Sequence, residues 1–92
     1  MSLVFDRRGS GPPLVLVHGH GSRWQEWEPV LPALAAQNEV VTLDLPGFGA
    51  SPLDGTTPSP EGYAARVEEF WGELGLERPA VAGFSMGGGI AL

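Results

Sequence analysis

At 92 residues, with a formal net charge of -6 and no lysine, the chain holds one small domain at most and is a poor partner for nucleic acid or an anionic membrane surface. A chain this short buries only about 60–65% of the surface its unfolded form exposes, so part of an enzyme is expected rather than a whole one. Cysteine is absent, which excludes a disulfide framework and thiolate metal ligation and allows a reducing compartment. Met1 to Gly11 contains no apolar core behind a charged start, and the apolar run Leu14 to Val17 is far too short to cross a bilayer. The expectation is a cytoplasmic protein acting on small neutral molecules.

In chain order, Leu3-Val4-Phe5 is a short strand candidate, and the glycines and prolines of Arg7 to Pro13 mark a turn or loop after it. Leu14-Val15-Leu16-Val17 is continuously apolar, as a strand buried on both faces of a parallel sheet requires. It runs into His18-Gly19-His20-Gly21-Ser22. Trp24, Trp27, Val30, Leu31 and Leu34 then recur at helical spacing as far as Gln37, with Pro29 and Pro32 predicting an irregular start. Glu39 to Leu45 supplies a β-branched strand, and the Pro46-Gly47-Phe48-Gly49-Ala50-Ser51-Pro52 behind it opens a long surface loop reaching Ser59. Ser59-Pro60 reads as an N-cap with proline at the first helical position. Tyr63, Val67, Phe70, Trp71 and Leu74 share one face of that helix up to Gly75. Ala80 to Phe84 is read as a buried strand, and Met86 to Leu92 begins another helix. Strands alternating with helices indicate an α/β domain with a mostly parallel sheet and ligands at the carboxyl ends of the strands.

The strand Ala80 to Phe84 enters Gly83-Phe84-Ser85-Met86-Gly87, a Gly-x-Ser-x-Gly turn. A sharp strand-to-helix turn lifts a serine hydroxyl clear of the sheet, and glycine two places either side lets neighbouring backbone pass closely. Ser85 is therefore a candidate nucleophile. An ordinary serine is a weak nucleophile and needs a base and oxyanion donors. The Met86 N–H lies at a helix start, where free amides and the positive end of the dipole favour negative charge. A second donor is the His20 N–H in the loop that Gly19 and Gly21 allow to fold over the site.

His18 to Ser22, Asp44 to Ser51 and Gly83 to Gly88, in that order and spacing, resemble the α/β-hydrolase superfamily across essentially all 92 residues, nearest its small carboxylesterase and perhydrolase-like branch. The resemblance implies Ser85 as nucleophile, the His20 and Met86 amides as oxyanion hole, and residues 44–51 as a structural loop beside the site. It also implies that 1–92 is the N-terminal part of a single α/β-hydrolase domain. In that family the acid and the histidine follow the serine in chain order, so both are expected beyond Leu92. The remaining C-terminal half then counts as a partner, and the chain by itself is expected to be inactive and to self-associate along an open strand edge.

Other roles for these residues weigh less. His18 or His20 as a surrogate base competes with a structural role at a strand end. A metal site on His18-x-His20 lacks a carboxylate at ligand spacing, and no Gly-x-Gly-x-x-Gly follows the first strand, so neither metal nor cofactor is expected. Asp44 reads as an acceptor for backbone N–H groups of the following turn. Gly19, Gly21 and Trp24 are candidate substrate contacts, although Trp24 and Trp27 read more readily as core. The function expected is hydrolysis of a small carboxylic ester through an acyl-enzyme. Lyase, synthase or perhydrolase chemistry on the same fold, or a non-catalytic binding module, are the alternatives.

Overall fold

The computed structural model describes residues 3–19 and 21–83. Ser85, Met86, His20 and the helix read over Met86 to Leu92 lie outside them. Strands β1 (Phe5–Arg8), β2 (Pro13–Val17), β3 (Glu39–Leu43) and β4 (Ala80–Gly83) form one sheet in the order β1-β3-β2-β4. β2 pairs in parallel with both β3 and β4, and β1 alone runs antiparallel, against β3.

Alternation along β2 and β3 builds two separate apolar layers. Leu16 and Val40 face one way, onto Leu31, Trp24, Trp27 and Leu34 from the connection between the two strands. Val15, Val17, Val41 and Leu43 face the other way, onto Tyr63, Val67 and Phe70. Those three belong to helix α2 (Pro60–Glu73), while the first layer is covered by a 3-10 helix (Trp24–Val30) followed by α1 (Leu31–Ala35). The chain thus crosses from β2 to β3 over one face and from β3 to β4 over the other, so β2 is the strand at which the winding changes direction. In an open α/β sheet that switch leaves a crevice at the carboxyl ends of the two strands involved, here β2 and β4.

Local signals account for the helices. Ser59 Oγ accepts from the Gly62 N–H at 3.0 Å and Pro60 occupies the first turn. At the far end Leu76 N–H donates to Trp71 at 3.0 Å and Gly75 N–H to Gly72 at 3.0 Å, with Gly75 in the left-handed region, a Schellman closure. In the first connection Pro29 removes an N–H inside the segment and Pro32 stands at the start of the next, so the single helix expected to Gln37 becomes a 3-10 segment and one short α-turn. Val30, read as part of its apolar face, is exposed.

Three expectations are corrected. The first strand is Phe5–Arg8 rather than Leu3 to Phe5, so Arg7 and Arg8 lie in a strand, not a turn. Their charges fit because β1 is bonded to β3 alone among the described residues, with its other side open: Arg7 pairs with Glu39 and Arg8 with Asp6, where charge discourages further pairing. The strand Ala80 to Gly83 is not buried on both faces, since it is bonded only to β2 among the described residues and Ala80 and Ala82 are exposed. The loop after β3 is not wholly superficial, because Leu45 and Ser51 are buried.

Phe70 is the largest fully buried side chain among the described residues and also meets Phe5 edge-on at 5.3 Å. Phe70→Ala in the complete protein is expected to cost about 3–5 kcal/mol, read as a lower urea midpoint at unchanged slope. A loss below about 1 kcal/mol would mean that α2 is not the cover of this layer.

Candidate active site at the strand ends

The carboxyl ends of β2 and β4 lie side by side. Val17 is in register with Gly83, so His18-Gly19 leaves β2 beside the point where β4 delivers Gly83, the first residue of the Gly-x-Ser-x-Gly turn. The roles assigned to Ser85, Met86 and His20 fall on residues outside those described. The scaffold on which they are strung is described, and its polar groups are almost fully committed.

His18 is completely buried. Its Nε2 accepts from the Leu45 N–H at 3.0 Å, which requires a lone pair there, and Nδ1 lies 2.7 Å from the Gly19 carbonyl, which requires a proton there. One neutral tautomer satisfies both, and the Phe48 ring closes on the imidazole edge-on at 5.5 Å. With both nitrogens engaged by backbone, His18 is built as a structural group and not as a base.

Gly19 is equally committed. Its carbonyl also accepts from the Ser22 N–H at 3.1 Å, and its own N–H points to Glu26 Oε1 at 3.4 Å. Gly21 is exposed with φ +75, and nothing stands within 4 Å of the position a side chain would take. Trp24 is half-buried in the layer with Leu16, Leu31 and Val40, where its ring serves the core.

Asp44, at the end of β3, is 1% exposed. Oδ1 accepts from the Trp24 N–H at 2.7 Å and Oδ2 from the Ala50 N–H at 2.9 Å, so one carboxylate joins the loop after β2 to the loop after β3. Gly49 bends past it at φ +53, where a Cβ would strike the carboxylate itself. Ser51 completes the joint, donating from Oγ to the Asp44 carbonyl at 2.7 Å and accepting from the Val4 N–H at 2.8 Å. Further along, Asp54 meets the buried Arg66 of α2 at 2.9 Å and accepts from the Thr56 hydroxyl. The roles of Glu26, Ser51 and the Asp54–Arg66 pair went unread in the sequence. Ser51 alone had a signal there, as the last residue of the Asp44-to-Ser51 motif.

This arrangement ties the loop after β2 to the loop after β3 through Asp44, beside the end of β4. A model described as the alpha/beta hydrolase family matches residues 14–92. The chain belongs to that family. Among its relatives, a soluble epoxide hydrolase of Corynebacterium sp. (strain C12) is 42% identical over 83 residues, covering 90% of this chain and 29% of the relative. A pimeloyl-[acyl-carrier protein] methyl ester esterase of Aeromonas hydrophila is 42% identical over 91 residues, 99% of this chain and 35% of the relative. The structure of a thermophilic esterase from Thermogutta terrifontis superposes with a TM-score of 0.89 at 31% identity, covering 97% of this chain and 33% of that one. The chain therefore spans about a third of the length of the proteins it matches.

Asp44→Asn keeps the shape but turns one acceptor into an N–H donor facing another N–H. In the complete protein it is expected to cost about 1.5–3 kcal/mol by chemical denaturation. Retention of full stability would remove Asp44 as the joint between the loops. A second expectation concerns acid. The Thr56 hydroxyl, opposed by partial burial and aided by Arg66 and the Thr56 N–H, holds the Asp54 carboxyl below its ordinary value. A carboxyl depressed in the folded state contributes stability that is complete above the unfolded value near ~3.9 and is lost as pH falls through the folded value. Asp54→Asn should therefore flatten the fall in stability below about pH 5, and an unchanged slope would contradict this.

Proposed function

We propose that the complete protein is a serine hydrolase that cleaves a small carboxylic ester through an acyl-enzyme. The observation that carries this reading is the register of Val17 with Gly83, which sets the end of β4, whose sequence continues as Phe84-Ser85-Met86-Gly87, beside the His18-Gly19 turn. In the reaction Ser85 Oγ adds to the ester carbonyl as its proton passes to a histidine base supplied by the rest of the protein. The oxyanion is held by the amides of His20 and Met86, and the alkoxide departs with the proton to leave a serine ester. Water, deprotonated by the same base, then adds to that ester, frees the carboxylic acid and restores the serine.

The relatives include both an epoxide hydrolase and methyl ester esterases, and the chemistry of a hydroxyl nucleophile separates the two. Serine opening an epoxide would leave an ether on the enzyme, which water does not hydrolyse under mild conditions. Serine attacking an ester leaves an ester, which water does hydrolyse. A serine at position 85 thus favours acyl transfer.

The complete protein is expected to hydrolyse p-nitrophenyl butyrate, to take up one fluorophosphonate on the peptide containing Ser85, and to leave styrene oxide unconsumed. Ser85→Ala should lower kcat by on the order of 10⁴-fold or more. Ester turnover that survives this substitution, or epoxide opening without ester turnover, would overturn the reading.

A further inference from the structure

Where the 3-10 segment lies over β3, two buried polar atoms interrupt an otherwise apolar layer. Thr42 is completely buried, and its hydroxyl has no hydrogen-bond partner among the described residues. The indole Nε1 of the half-buried Trp27 is likewise sealed from solvent and unmatched among the described residues. A hydroxyl or an indole N–H taken out of water without a partner costs more than a made hydrogen bond returns, so buried polar groups are nearly always satisfied.

The two atoms belong to one place. Alternation along β3 puts Thr42 on the face of Val40, and the register sets it beside Leu16, and both of these pack in the layer that includes Trp27 and Leu31. The Trp24 N–H bonds Asp44 and Leu31 packs with Val40, so the segment runs back along β3 against the strand direction. Trp27 stands one 3-10 turn beyond Trp24, about 6 Å along the axis. Thr42 stands two strand residues before Asp44, about 6.6 Å. The indole is thereby brought over the hydroxyl, yet the two do not bond directly. Because both atoms are already closed off from the surface, a further segment of protein does not reach them. The group that joins them has to be small, and it has to accept from an indole N–H, which has no acceptor of its own.

We propose that one internal water molecule bridges Trp27 Nε1 and Thr42 Oγ1, accepting from the indole and bonding to the hydroxyl. Water accepts and donates at once, and internal waters characteristically join two to four polar groups that the chain leaves unmet. The bridge is a second polar tie between the 3-10 segment and β3, besides the bond from Trp24 to Asp44. Such a tie has work to do, since none of the residues of that segment is wholly buried and apolar packing alone holds it weakly. It is independent of the reaction assigned to Ser85.

The sign of one substitution separates a bridged hydroxyl from an orphan. In the complete protein Thr42→Val keeps the shape of the side chain and removes the hydroxyl. With the water in place it is expected to raise the unfolding equilibrium constant about threefold to tenfold, seen as a lower urea midpoint at unchanged slope. A neutral or stabilising Thr42→Val would mean an orphaned hydroxyl and would overturn the proposal. In a Trp27→Phe background, where the water has lost its donor, the same change should shift the midpoint by less than about half as much. Equal shifts in the two backgrounds would contradict the bridge. Should either variant fail to fold, a crystal structure of the complete wild-type protein decides. One ordered water about 2.7–3.2 Å from both atoms supports the assignment, and a protein group bonded to either atom, or no water shared between them, refutes it.

Discussion

A carboxylate sealed from water has to be met by N–H groups, and Asp44 is met by two that come from different loops, at Trp24 and Ala50. An unpaired charge in that position would be untenable, so the folded state exists only with both loops drawn to the end of β3. Gly49 passes the carboxylate where no side chain fits, Ser51 ties the Asp44 carbonyl to Val4, and the entry to β1 is fastened by the same joint. The Phe48 ring, held between Gly47 and Gly49, lies edge-on to both His18 and Tyr63, which links the end of β2 to helix α2. The buried polar groups at the strand ends thus form one connected system, and its order is what the chemistry at the crevice would draw upon.

On the serine-hydrolase reading proposed above, order in that place has a catalytic meaning. An oxyanion donor helps only if it already points where charge will develop, because reorienting a peptide during the reaction would consume the benefit. The turn after β2 is fastened on both sides of Gly19, by Glu26 on its N–H and by His18 and Ser22 on its carbonyl. Loops are ordinarily the soft parts of a fold, and functional ones become stiff through this kind of local commitment.

Much of the architecture was legible in the residues because it depends on short-range signals. Continuous apolar character marked β2, and the Ser59-Pro60 cap with apolar residues at 63, 67, 70 and 74 marked α2. The reading of Asp44 as a backbone acceptor was right in kind. Its bond to Ala50 lies in the following turn, whereas the partner at Trp24 comes from the other side of the sheet, where no local pattern points. β1 was misplaced because an edge strand can be charged, and polarity is then a poor guide to pairing. The Glu26 contact with Gly19 and the burial of Arg66 against Asp54 are tertiary facts, and an acid or a basic residue on a helix ordinarily reads as solvent-facing.

The central claim is that the crevice between the ends of β2 and β4 is where a carbonyl would be attacked. A crystal structure of the complete protein after reaction with a phosphonate ester tests it most directly. The account predicts phosphorus bonded to Ser85 Oγ and the phosphoryl oxygen about 2.7–3.1 Å from the amide nitrogens of His20 and Met86. Attachment at another residue, or a phosphoryl oxygen turned away from both amides, would contradict it.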